Sequence, residues 1–458
     1  MKGLVALIIG LGVAASLADT LSLAFTEVAE TVHREVVMAH GYRQAFQAEP
    51  SDTNLLVEAE RCYQRAIVFT PVLQQIPVKA CDVWLEKGTV PDAYRPTLYD
   101  AVVHDLLDFY VAVLKAGVKD DDVAVELPAE GPAFEDVEGF CAEIPEAAVR
   151  QSRMLRAMRL HQLLLEFHQK DLEQSAFLDA DLNRLQFCRM FATGAKRDTR
   201  YVSALDRFAY KWRKHEVSAR ATAIRAALAL ERGDAAFARM LAQNGAATFS
   251  GSIGAAQCRN LIAKVEEPSF EIYAPSIWRA PWPEMTAVYK NLPRVGFRAI
   301  RLAENDRAFD RLQGTGGKLG TLIAKTLLKR TPAKAWVMTL PPAADYRERE
   351  FALAVPKDLP VGRYAVFAST DERFAEDGAP TYYGVCEVRG ATEEGERDEN
   401  IQTGFTHLFG AWERTEEPAE WRYRAWRGTD GKALRHSLAA LREREGSGTL
   451  TPHAKSPE

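Results

Sequence analysis

Two histidines, His161 and His168, stand seven residues apart in a stretch of helical periodicity, a spacing that brings both toward one helix face. Such a pair could ligate a metal or exchange a proton, but no carboxylate–histidine pattern of the zinc-protease kind accompanies it. They are read as core or solvated histidines. Asp179 and Asp181 form a carboxylate pair in the first turn of a predicted helix, where capping and the helix dipole account for acidic residues. The run Asp120, Asp121, Asp122 lacks the alternating ligands and distal Glu of a calcium loop, so it reads as a solvated loop. Gly314, Gly316, Gly317 and Gly320 with Lys318 suggest a phosphate loop. The glycine spacing fails, Leu319 stands where a magnesium-binding hydroxyl belongs, and no strand leads directly into it. Cys62, Cys81, Cys141, Cys188, Cys258 and Cys386 are scattered, with no CxxC pair and no histidine at metal-ligand spacing. Cys188 and Cys258 fall on apolar helix faces and are expected as buried free thiols. No Gly-x-Ser-x-Gly elbow is present. No catalytic, cofactor-binding or metal residue is therefore assigned, no cofactor is expected, and the chain is read as non-enzymatic.

The elements that would carry any site divide at Pro268. Before it, Met154, Ala157, Leu160, Leu164 and Phe167 recur at helical steps, as do Leu178, Leu182, Leu185 and Cys188, then Tyr201, Leu205, Phe208 and Trp212, then the Ala-rich stretch 218–230. Glu231-Arg232-Gly233-Asp234 places a glycine after one helix and a capping aspartate before the next, the mark of a helical hairpin. The expectation for 25–267 is an α-solenoid-like, tetratricopeptide-like helical-repeat domain. After Pro268 the period becomes two, giving about seven strands and an antiparallel β-sandwich over 268–389, with a loop and amphipathic helix inserted at 305–332. The fold class is thus multidomain, α then β. Residues 390–458, with an acidic run from Glu393 to Glu399 and Trp412, Trp421 and Trp426 among arginines, are expected to be a poorly ordered tail.

With 458 residues of 47% apolar content, the chain can bury more than one core. Its net charge of −5 offers no basic field, and nucleic acid is set aside as a partner. Met1-Lys2-Gly3 and the apolar run Leu4 to Ala18 predict a signal peptide over 1–24. The run is shorter than the about 20 residues a membrane span needs, so the mature chain is expected without a span, in the periplasm or cell envelope.

Four segments carry a resemblance. They are Pro91-Asp92-Ala93-Tyr94-Arg95-Pro96-Thr97-Leu98-Tyr99-Asp100, continued by His104 and Leu107-Asp108-Phe109-Tyr110; Leu178-Asp179-Ala180-Asp181-Leu182-Asn183-Arg184-Leu185; Val295-Gly296-Phe297-Arg298-Ala299-Ile300-Arg301-Leu302; and Leu359 to Ser369. In this order they resemble the N-terminal part of bacterial alpha-2-macroglobulin family proteins of the Bacteroidetes type. The resemblance implies helical repeats ahead of a macroglobulin-type β-sandwich, and the front end of an endopeptidase inhibitor that traps proteases. It also points to a departure. The family's Cys-x-Glu-Gln thioester has its nearest counterpart in Cys141-Ala142-Glu143-Ile144, where isoleucine cannot supply the acyl group. The implied partners are proteins, either proteases or components of the cell envelope. The residues alone leave open a stand-alone helical-repeat scaffold for protein–protein interaction in the cell envelope.

Overall fold

The computed structural model describes residues 14–118, 125–141, 148–149, 152–303, 307–314, 318–390, 401–411 and 422–427. Helices fill the first part of the chain and strands most of the remainder, with the change falling at Glu266–Ser269. The compact units divide elsewhere. One comprises Met1–Ala221 with Glu420–Glu458, and the other Thr222–Ala419. The last helical hairpin before the strands therefore belongs with the strands and not with the expected 25–267 domain.

In the first unit, α1 (Ala14–Ala48), α2 (Asn54–Ile67), α3 (Leu98–Lys115), α4 (Arg153–His168), α5 (Ser175–Phe191) and α6 (Arg197–Lys211) follow in order, each packed on its predecessor. The helix α1 runs through residue 24, the expected end of the signal peptide, while residues 1–13 lie outside the described residues. Among the described residues no helix is long and apolar enough to cross a membrane. The start of α3 is fixed by a capping box. Asp100 N–H donates to Thr97 Oγ1 at 3.3 Å, and Asp100 Oδ2 accepts from Thr97 N–H at 2.9 Å. From there Leu98, Val102, Leu106, Phe109 and Val113 bury at helical spacing. The helix α7 (Val217–Glu231) crosses the division between the units.

In the second unit, α8 (Ala235–Thr248) and α9 (Ile253–Glu266) pack together as a hairpin, while the turn expected at Glu231–Asp234 leads from α7 into α8. Gly233, at φ 79°, ends α7, and the Asp234 carboxylate accepts from Phe237 N–H at 3.1 Å. Ten strands follow: β1 (Ser269–Pro275), β2 (Ile277–Trp278), β3 (Glu284–Lys290), β4 (Arg294–Leu302), β5 (Lys334–Thr339), β6 (Arg349–Ala354), β7 (Gly362–Ser369), β8 (Thr381–Val388), β9 (Gln402–Gly404) and β10 (Thr406–Phe409). One sheet runs β9-β1-β3-β6 and the other β10-β8-β7-β4-β5, with β2 paired to β8. All ladders are antiparallel except that of β2 with β8. Residues of both sheets share one buried cluster, among them Phe270, Met285, Leu353, Phe297, Val366 and Cys386. A second cluster lies on the far side of the larger sheet, where α10 (Ala308–Gly314) and α11 (Lys318–Leu328) set Leu312, Ala324 and Leu327 against Ile300, Phe367 and Val385. The strand β7 is consequently buried on both faces from Tyr364 to Ser369. Of the glycines weighed and rejected as a phosphate loop, Gly314 ends α10 and Gly320 lies buried within α11, and Gly316 and Gly317 lie outside the described residues.

The expected disorder of 390–458 is corrected over two stretches. Residues 401–411 supply β9 and β10, burying Leu408 and packing Phe405 on the shared core. Ala425–Trp426 pairs with Leu85–Glu86 in the first unit. Charged composition suggested solvation, but aromatic and aliphatic residues spaced along these stretches find apolar surface to cover.

A candidate functional site: a polar cleft under the C-terminal segment

The most elaborate polar architecture lies in the helical unit, built on α3 and α5. Asp179, wholly buried in the second turn of α5, accepts from Arg220, from Tyr423 O–H, from Arg95 Nε at 3.3 Å and from Asn183 Nδ2 at 3.0 Å. Burial alone would raise its carboxyl, but Arg220 and Arg95 hold it down at about 2. Asp181 pairs with buried Arg184, Nε to Oδ1 at 2.6 Å, and Arg184 also donates to the carbonyls of Ala133 and Glu135. These two aspartates are thus counter-ions in the core. The cap reading fails because α5 begins at Ser175, a turn earlier than the apolar pattern indicates.

His161 and His168 are both core residues of α4, and the structure does not bring them together as ligands. Burial, then Arg184, pushes His161 down to about 3. His168 sits between two carboxylates, Nε2 to Asp100 Oδ1 at 2.7 Å and Nδ1 to Asp171 Oδ2 at 2.6 Å. Burial opposes its charge, yet the two carboxylates outweigh burial and raise it above 6.5. Asp120, Asp121 and Asp122 lie outside the described residues.

Beside Asp179 opens a cleft of about 480 Å³, lined by His40, Arg95, Asp105, Asp108, Tyr423 and Arg424 among others. His40 Nε2 lies 2.6 Å from Asp105 Oδ2, which also accepts from Tyr63 O–H at 2.8 Å. Burial raises the Asp108 carboxyl. A histidine–aspartate pair at a cleft wall can move a proton, but the described residues that line the cleft include no serine, threonine, cysteine or lysine. All six cysteines are free, and burial pushes every thiol up, Cys62 and Cys188 to about 12 and Cys81 and Cys258 to about 11, so none is poised as a thiolate. Among the described residues no group of three or more histidine, cysteine or acidic side chains is placed to hold a metal ion.

The cleft's lid is residues 422–427. Tyr423 lies with its ring 3.3 Å from the Arg95 guanidinium, a cation–π contact. Arg424 reaches Asp92 Oδ1 with Nε at 3.0 Å and also pairs with Asp82. Trp426 stacks on His33 at 5.8 Å between ring centres. The sequence reading missed His40, Asp105, Arg220 and the lid, because each contact joins residues far apart along the chain. The capping pair Thr97 and Asp100 carried a local signal in its spacing.

No protein-family model, no curated protein and no solved structure matches this chain.

Proposed function

We propose that the chain is a non-enzymatic protein-contact module of the cell envelope, the front end of an alpha-2-macroglobulin-like protease trap without its thioester. In this reading the stacked helices are a solenoid and the two sheets around one core are a macroglobulin-type sandwich. One observation carries it: the four segments on which the resemblance rests pack together in pairs. Arg95 of the first meets Asp179 of the second. The third and fourth are adjacent strands, β4 and β7, in register from Arg363↔Leu302 to Ser369↔Gly296. Segments that serve as each other's packing partners behave as an architectural signature. The saturated charges and raised thiols favour a scaffold over a catalyst.

The test is incubation of the purified chain with endopeptidases of differing specificity, followed by gel filtration with light scattering. A complex that holds the protease and falls apart on denaturation is expected, since no acyl bond can form. Progressive degradation with no co-elution would defeat the reading.

A further inference from the structure

Residues 422–427 are held as a bound peptide is held. Their backbone pairs with residues 84–90: Thr89 and Val90 N–H donate to Arg422 C=O at 2.8 and 3.0 Å, Arg422 N–H donates to Thr89 Oγ1 at 2.7 Å, and Arg427 N–H donates to Trp84 C=O at 2.9 Å. The register Leu85↔Trp426 and Glu86↔Ala425 completes a two-residue antiparallel ladder. Main-chain pairing combined with side-chain anchors in separate receptors is a mode by which proteins capture extended peptides. Three of the side chains here have separate receptors: Tyr423 the Asp179–Arg95 pair, Arg424 the carboxylates of Asp92 and Asp82, Trp426 the His33 ring.

The receiving strand is shaped for this backbone. A Cβ on Gly88 would stand 2.2 Å from Arg422 O and 2.4 Å from Tyr423 C, so no other residue permits so close an approach. A cleft with Asp105 and Asp108 on its walls opens beside Tyr423.

We propose that the bed formed by residues 84–90 with Asp82, Asp92, Arg95, Asp179 and His33 is a binding site for an extended peptide carrying aromatic and arginine side chains, that residues 422–427 occupy it in cis, and that a partner protein's segment of the same chemistry takes their place. The proposal deepens the protein-contact reading and rests on it. A tethered segment competes at an effective concentration on the order of millimolar, so the partner must either bind tightly or arrive at many copies.

The probe is the fluorescein-labelled hexapeptide of residues 422–427, followed by anisotropy. Tyr423→Ala with Trp426→Ala removes two of the resident segment's own anchors while leaving the receptor residues Arg95, Asp179 and His33 unchanged, and is expected to bind the probe at least about tenfold more tightly than the parent chain. Gly88→Ala, at an ordinary φ, blocks the bed for either occupant and is expected to bind no probe while keeping its helical circular dichroism. Equal weak binding by all three proteins would overturn the proposal. Should the double variant fail to fold, amide exchange of the parent decides: excess unlabelled peptide is expected to strip protection from 422–427, and unchanged protection at millimolar peptide would refute it. A parent that runs as a dimer, dissociated by the double variant, would mean that a second copy supplies the segment and would also overturn it. Peptide binding without any protease complex would leave this site standing while the protease-trap reading fell.

Discussion

His168 shows how one residue couples protonation to the fold of the helical unit. Its ring is shared by Asp100, which also caps α3, and by Asp171 beyond the end of α4, so it ties two helix termini together. Because its folded-state value is raised above 6.5, the folded chain binds the proton more tightly than the unfolded chain does. That stabilisation is complete below pH 6.5 and fades as pH rises through the folded-state value. His168→Gln is therefore expected to destabilise the chain by about 3–5 kcal/mol at acid pH, as for a broken buried ion pair. The deficit relative to the parent should narrow as pH rises above 6.5. Urea midpoints at pH 5.5 and 8.5 measure it, and a deficit that stays constant would show that His168 does not change charge between those two pH values. His104 and His161, both lowered by burial, bias the chain in the opposite sense below 6.5. The part of His161 is the same in parent and variant and cancels, whereas His104 is lowered in part by the His168 charge and is relieved of it in the variant.

At the level of elements, the turn between α7 and α8 is where local chemistry dictates structure most directly. Gly233 N–H donates to Leu230 C=O at 2.9 Å and Asp234 N–H to Ala229 C=O at 3.0 Å, a closure that needs the left-handed conformation at Gly233. Gly233→Ala has no steric obstacle near its Cβ, so its effect is conformational alone. A loss of about 1 kcal/mol is expected, read as a lower thermal midpoint without any change in the circular dichroism spectrum. This turn was legible in the sequence, as were helices α4 to α7 and the seven longer strands, because periodicity and capping are local signals. The short strands β2, β9 and β10 were not, since two to four residues carry no period. The apolar stripe of α4 ends on buried His168 and not on half-buried Phe167, as a carboxylate pair outbids an aromatic ring for that position.

For the molecule as a whole, the site was illegible for a single reason. Asp179 answers to Arg95, Arg220 and Tyr423, which are separated from it by 84, 41 and 244 residues, and no window on the sequence spans them. The thiols offer a way to follow the two compact units separately. Cys62, Cys81 and Cys188 are buried in one, and Cys258 and Cys386 in the other. Alkylation in native buffer is expected to spare all five and to modify the partly exposed Cys141 first. In rising urea, mass-mapped labelling should climb as two groups, each at the transition of its own unit. Labelling of Cys188 or Cys386 without denaturant would contradict the packing described.

Arg424 meets Asp92 across 332 residues of chain. A ribosome adding about 5–20 residues per second needs between about 15 and 65 s to cover that distance. Throughout that interval the nascent helices hold an unfilled acidic trough, open to chaperones and to any stray basic strand in the compartment. The order of synthesis makes the resident segment the last arrival at its own berth.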